Sequence, residues 1–403
     1  GGQDGRLGGG GVGSGYSTWP IYLVDGGSTP RPHRLPAVNT APWFRRLLLP
    51  GFVFQSVVIA GGYGTGRELA EFFLSHGPRA GLMGMLLVSM VIWSLVSMAT
   101  YEFARVFQAY DYRTFFRHLL GRGWILFEVC YLLLLLVILA VIAAAAGTIL
   151  QETFGQPYAV GSMAIMAAVG LLVFRGSVTI ERFFAVWSFL LYGVFLLFLI
   201  WCLARWGDVS WANLSEPSGS RSWIRGGVAY AAYNLGVIPA VLFSIRHAES
   251  RRDTLVSGAL SGPIAMIPGV LFYLAMAGQY PGILDRPVPA NMMLDLLGSR
   301  GFQIAFQVVL FGTLIETGTG LIHAVNERVA AGFHARGLEM PSLARPLIAV
   351  GLLIAGVILS RVGLIALIAR GYGTLTWAVL IVFVIPILTH GIWKISRANP
   401  VQE

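Results

Sequence analysis

Lysine is almost missing from this chain: of 28 basic residues, only Lys394 is lysine. Charge of either sign is scarce, with Asp, Glu, Lys and Arg at 12% and hydrophobic residues at 56%. An average soluble domain carries about 25% charged residues, so with a mean hydropathy of +0.71 the composition excludes an ordinary soluble protein. There are two cysteines, Cys130 and Cys202, both inside apolar runs. That rules out a disulfide framework or a cysteine-built metal site, and both read as inert core thiols. The phosphate-binding pattern G-x-x-x-x-G-K-[ST] does not occur, so nothing here points to ATP drive within the chain. Nor do HExxH, G-x-S-x-G or paired intramembrane aspartates, so the sequence reads as a non-enzyme. The formal net charge of +9 does not indicate nucleic acid, because the arginines sit at the ends of apolar runs rather than on one polar segment.

What is present is a series of long apolar runs behind a polar start. Residues 1–40 contain nine glycines in the first fifteen positions, followed by Pro, Ser and Arg, a composition that reads as a flexible tail. From Leu47 onward, ten runs approach the ~20 residues needed to cross a ~30 Å hydrocarbon core. They span roughly 47–74, 80–107, 123–151, 157–174, 183–204, 224–246, 253–278, 299–332, 344–361 and 371–392. With the amino terminus inside, 18 Lys and Arg residues fall on the inner side against 9 on the outer, leaving out the remote Arg6. This bias predicts a multi-pass membrane protein of ten spans with both termini cytoplasmic.

Two of the ten runs are interrupted where a helix should continue. The first contains Gly61-Gly62-Tyr63-Gly64-Thr65-Gly66, and the sixth contains Asn234-Leu235-Gly236-Val237-Ile238-Pro239. Gly61 and Asn234 are 173 residues apart; the second and seventh runs start at the same offset, and the third and eighth 176 apart. Five runs followed by five, each set opening on a broken member, predict an all-α membrane fold built as a 5+5 inverted repeat, residues 41–210 and 211–403. An odd number of crossings per half forces the two halves into opposite orientations.

Each glycine costs roughly 1 kcal/mol in a helix interior relative to alanine, so continuous helix is disfavoured over 61–66. Peptide groups freed in lipid cost several kcal/mol apiece unless something polar satisfies them, and a solute or ion can do so. The half-helix starting near Gly66 is expected to offer N–H groups to a carboxylate, and the preceding half to offer carbonyls to a cation. The competing reading is that small residues merely let helices approach closely; the matched break in the second half favours a substrate site.

Glu316 lies within the eighth run, where an ionisable residue is a functional candidate by default. Helical spacing puts Thr313, Glu316, Thr317, Gly320 and His323 on one stripe. Desolvation penalises the charged form of Glu316, making it a candidate proton carrier, while the Thr313 and Thr317 hydroxyls are candidate sodium ligands. The alternative is a neutral Glu hydrogen-bonded to a neighbouring helix. Arg67, Glu68 and Glu71, just beyond the first break, read either as a gate or as a solvated charged face. Tyr63, Tyr230 and Tyr233 flank the breaks as candidate lids or core tyrosines.

The run Val57-Val58-Ile59-Ala60-Gly61-Gly62-Tyr63-Gly64-Thr65-Gly66-Arg67-Glu68-Leu69, followed by Phe72-Phe73, resembles the GAGFASGxE…FF signature of YkvI-type bacterial membrane proteins. Tyr230-Ala-Ala-Tyr233-Asn234-Leu235 with Pro239 to Phe243 resembles their sixth span. Tyr63 and Thr65 stand where Phe and Ala or Ser are expected. The resemblance covers residues 47–392 and implies a place in the amino acid, polyamine and organocation superfamily with its LeuT-type fold. It implies a substrate site at Gly61 to Gly66 and Tyr233, Asn234, Leu235 and Gly236, a sodium site near Thr313 or Thr317, and Glu316 as the protonatable group, since the fifth span has no lysine. The resulting expectation is an ion-coupled secondary transporter, driven by H⁺ or Na⁺ and without another cofactor. Its partners would be a small solute such as an amino acid and the lipid bilayer, not nucleic acid. The alternative is a transporter-like ligand sensor that signals to a protein partner.

Overall fold

The computed structural model describes residues 41–61, 63–175, 177–216, 222–334 and 336–398, so the expected tail 1–40 and Gly62 lie outside the described residues. After a π-helical turn at Phe44–Leu48, helices α1 (Leu49–Gly61) and α2 (Arg67–Phe72) are separated by a 3₁₀ turn, Tyr63–Thr65. Next come α3 (Pro78–Val106) and the short α4 (Tyr112–Leu120). They are followed by α5 (Trp124–Phe154), α6 (Tyr158–Arg175) and α7 (Ser177–Ser215). Helix α8 (Trp223–Leu235) passes into 3₁₀ turns at Ile238–Ala240 and Leu242–His247. The remainder is α9 (Arg251–Ala277), the short α10 (Pro289–Leu297), α11 (Arg300–His334), α12 (Ala344–Ser360) and α13 (Leu364–Arg397).

All ten predicted runs fall on helix. Among the described residues, six stretches are long and apolar enough to cross a membrane: Pro78–Val106, Tyr112–Phe154, Leu190–Ser215, Arg251–Ala277, Arg300–Ala330 and Leu364–Arg397. Tyr158–Phe174 and Ala344–Ser360 are shorter apolar helices. The two remaining runs are the broken pairs. The short helices α4 and α10, nine residues each, were not anticipated. Asp111 starts α4 by accepting from the Thr114 amide at 2.9 Å, while Pro289 occupies the first turn of α10, where its missing N–H costs nothing.

Helices α3 and α9 form a close-packed seam. A Cβ at Gly258 would lie 2.5 Å from Met98 Cα, and one at Gly262 only 2.2 Å from Ser94 Oγ. The contact depends on glycine at both positions. Helix α9 also contains Pro263 and Pro268, and a proline leaves the carbonyl four residues earlier without its helical donor. Those carbonyls belong to Ala259 and Ile264. Ser94 Oγ of α3 donates to the first at 2.9 Å, and Gln55 Nε2 of α1 to the second at 2.5 Å. The prolines thus create the acceptors that tie α9 to α3 and α1. At its far end, α9 presents the carbonyls of Ala275 and Ala277, which accept from Trp206 Nε1 and Asn213 Nδ2 of α7, each at 2.8 Å.

Candidate functional site

The first break is abrupt. Gly66 has φ 80° and ψ −10°, the left-handed conformation that glycine adopts without a Cβ penalty. A side chain there would also meet Pro289, Phe272 and Met276 at 3.0–3.2 Å. Thr65 is buried, and its Oγ1 accepts from the Arg67 amide at 3.3 Å. Gly64 packs so that a Cβ would lie 3.1 Å from Leu310 Cδ1 of α11. Gly61 closes α1 and Tyr63 opens the 3₁₀ turn, while Gly62 lies outside the described residues. The helix beyond is only six residues long, so the extended half-helix with a strong anion-favouring end is not formed.

The second break is gentler than expected. After Leu235 the chain tightens rather than unwinds: the amides of Gly236, Val237, Ala240 and Val241 donate to carbonyls three residues earlier at 2.9–3.2 Å. Gly236 keeps a right-handed conformation, φ −58° and ψ −21°. The expectation of free peptide amides here is therefore corrected; proline at 239 sits in the first turn of a 3₁₀ segment, where no amide is missed. Asn234 is buried and its Nδ2 donates back to Tyr230 O at 3.0 Å.

The two breaks meet through side chains. The Tyr233 hydroxyl, near the end of α8, donates a hydrogen bond to Glu68 Oε2 on α2. Glu68 is 0% exposed, and its second oxygen, Oε1, has no hydrogen-bond partner. The neighbouring Arg67 does not neutralise it, because its Nη2 reaches Glu71 Oε2 at 2.6 Å and its Nη1 the Leu284 and Arg286 carbonyls at 2.5 and 3.2 Å. Among the described residues Glu68 has no ion-pair partner. Aromatic rings surround the pair: Tyr233 stacks on Tyr372 of α13 at 4.5 Å and 8°, and packs on Phe72 at 5.5 Å and Tyr230 at 5.6 Å. The described concavity of ≈ 390 Å³ lies elsewhere, an open groove of α5 and α11 lined by Phe154, Gln307 and Phe311 among others.

Residues Thr313, Glu316 and Thr317 lie on α11. The Thr313 and Thr317 hydroxyls donate to the carbonyls of Val309 and Thr313 on their own helix, at 3.1 and 3.0 Å, which leaves their oxygens as acceptors. Glu316 is half-buried, faces Tyr192 of α7, and makes no hydrogen bond or ion pair among the described residues. Of the expected stripe, Thr313 is buried, Glu316, Thr317 and His323 are half-buried, and Gly320 is exposed. Sequence reasoning gave Glu68 little weight, although the spacing Gly66-x-Glu68 places an acid on the first turn after the left-handed Gly66.

Two polar clusters occupy opposite ends of the α5–α11 pair. At one end Arg328 of α11 lies 3.8 Å from the ring centres of both Tyr112 of α4 and Tyr131 of α5, with Glu128 of α5 at 3.6 Å. At the other, Asn291 of α10 donates to Glu152 Oε2 of α5 at 2.8 Å and accepts from Gln307 Nε2 of α11 at 3.2 Å. Each cluster joins one of the unanticipated short helices to the same two long ones.

No family model matches the sequence. The chain is a distant relative of the uncharacterized membrane protein YkvI of Bacillus subtilis (strain 168), 22% identical over 286 residues covering 69% of this chain and 79% of that protein. Among solved structures it is similar to the Eremococcus coleocola manganese transporter bound to an aromatic bis-isothiourea substituted compound, with TM-score 0.43, 16% identity, and coverage of 92% of this chain and 91% of that one. A mutant of that transporter aligns with TM-score 0.43, 17% identity, and coverage of 93% and 91%.

Proposed function

We propose that the protein is a secondary active transporter moving a small solute, an amino acid or a related compound, by alternating access coupled to H⁺ or Na⁺. The observation that carries the reading is the Glu68–Tyr233 contact: two helical segments interrupted at matched positions meet at a buried, unneutralised carboxyl group. Such a group is costly unless something else completes it. The proposed substrate site comprises Gly61 to Gly66 and Tyr233 to Gly236, and the proposed ion-coupling residues are Glu316, Thr313 and Thr317.

The proposed architecture is ten crossings in two inverted five-helix repeats, both termini cytoplasmic in a bacterial inner membrane. Support comes from pairs at a near-constant offset. Helices α4 and α10 start at 112 and 289, 177 apart, close to the 173 that separates the breaks. Helices α3 and α9, which occupy corresponding places in the two halves, pack on each other. The α4 cluster binds the start of α5 and the end of α11, while the α10 cluster binds the end of α5 and the start of α11. That exchange of ends is what an inverted repeat produces.

The test is uptake of radiolabelled amino acids into proteoliposomes of the purified protein under imposed Na⁺ or H⁺ gradients. Gradient-dependent accumulation or exchange is the expected result. Failure to accumulate or exchange any amino acid or related solute under either gradient overturns the transporter reading.

A further inference from the structure

We infer that Glu68 is the ammonium-binding residue of the solute site, so that the solute is an amine-bearing cation or zwitterion rather than a simple carboxylate. This deepens the transporter reading above and rests on it for the existence of a solute.

The argument begins with the second carboxyl oxygen. Glu68 is 0% exposed, Tyr233 satisfies Oε2, and Oε1 has no hydrogen-bond partner among the described residues. As a carboxylate, the group would be buried without an ion-pair partner among the described residues, because the Nη atoms of Arg67 reach Glu71 and two carbonyls while its Nε meets no acceptor. As a carboxylic acid, a proton on Oε1 would have no acceptor. Buried polar atoms are almost always satisfied, so either protonation state leaves Oε1 incomplete. A ligand that brings both positive charge and an N–H donor completes it.

The surroundings then select among cations. Glu68 meets Tyr233 from α8 and Tyr372 from α13, and Tyr230 and Phe72 pack on the Tyr233 ring. A sodium ion of ordinary coordination needs several oxygens, whereas the described side chains at Glu68 bring tyrosine hydroxyls and aromatic carbon. An organic ammonium matches those groups, donating to the carboxylate and meeting ring faces. The six-residue α2 weakens the competing expectation that the break chiefly recognises a carboxylate.

The test uses the wild-type protein in detergent and dicyclohexylcarbodiimide, which modifies carboxyl groups in apolar surroundings and is read as an N-acylurea adduct on the Glu68 peptide by mass spectrometry. Labelling is followed with methylammonium, a mixture of the common L-amino acids, sodium chloride at equal ionic strength, or a mixture of acetate, propionate and 4-methylpentanoate. Other labelled carboxyl groups in the same digest control for reagent consumption. An amine at about nine times its Kd slows labelling of Glu68 about tenfold by mass action. The expected result is protection by methylammonium or the amino acid mixture and none by sodium chloride or the carboxylates. Absence of amine protection, equal protection by sodium, or no labelling of Glu68 overturns the inference. Proteoliposome flux from the same preparation separates the two ideas. Flux without amine protection sinks the Glu68 assignment and leaves transport standing; protection without flux does the reverse.

Discussion

The two broken segments begin from similar sequence cues and arrive at different backbones. The first, between α1 and α2, stops and restarts through a left-handed residue; the second, after α8, narrows into 3₁₀ turns with its amides bonded three residues back. At the first break Gly66 turns left-handed after the 3₁₀ turn and so ends the helical path, whereas one glycine and one proline only tighten the second. Each contributes something different: the first places a fully buried acid with no ion-pair partner among the described residues, and the second supplies the hydroxyl that holds it.

The largest expected effect probes the backbone half of that contrast. Gly66→Val adds a left-handed penalty of about 1–2 kcal/mol to overpacking of about 1–3 kcal/mol against Pro289, Phe272 and Met276. Gly236→Ala incurs only the overpacking, since its φ is ordinary although its Cβ would lie 2.7 Å from Leu134 Cδ2 and 2.9 Å from Tyr233 O. Thermal melting in detergent should rank Gly66→Val well below Gly236→Ala. Equal losses would mean that the first break owes nothing to its left-handed turn.

Next in size is the link between the segments. Tyr233→Phe keeps the ring against Tyr372 but removes the donor to Glu68, leaving both carboxyl oxygens unpartnered at a cost of about 1–3 kcal/mol. Combining it with Glu68→Gln should give a coupling energy of about 0.5–3 kcal/mol in a double-mutant cycle of melting stability. Additive losses would show that the contact does not join the two breaks. Gln55→Leu serves as a comparison outside the site: it orphans the Ile264 carbonyl that Pro268 had already freed, again costing about 1–3 kcal/mol.

Much of this contrast was legible in the sequence, and the remainder was hidden for identifiable reasons. Apolar run length located every long helix, because lipid crossing fixes a minimum length that no local preference overrides. The position of both breaks was legible from Gly61 to Gly66 and from Gly236 and Pro239. Their form was not, since a tightened helix and an unwound one demand the same residues. The role of Glu68 was obscured by its neighbours: Arg67, Glu68 and Glu71 together look like a solvated face, and only the fold shows Arg67 turned to Glu71 while Glu68 turns inward. Helices α4 and α10 escaped notice because nine residues are too short for a crossing and were absorbed into the loops.

The smallest effect on stability is expected at Glu316 and is the most informative about coupling. Unlike Glu68, it is half-buried and has no hydrogen-bond or ion-pair partner among the described residues, so Glu316→Gln should stay within about 0.5 kcal/mol of the parent. A stable variant makes its transport behaviour readable. If Glu316 carries the coupling proton, proteoliposome uptake by Glu316→Gln loses its dependence on external pH while its amine preference, set at Glu68, is unchanged. Thr313→Val and Thr317→Val, whose hydroxyls bond only their own helix, should be equally mild and should abolish sodium dependence if that ion drives transport instead. Uptake that keeps both its pH and sodium responses in all three variants would move coupling off α11 and direct it to Glu68, the buried acid held by Tyr233. Solute and coupling ion would then compete for Glu68, and the protein would work as an exchanger.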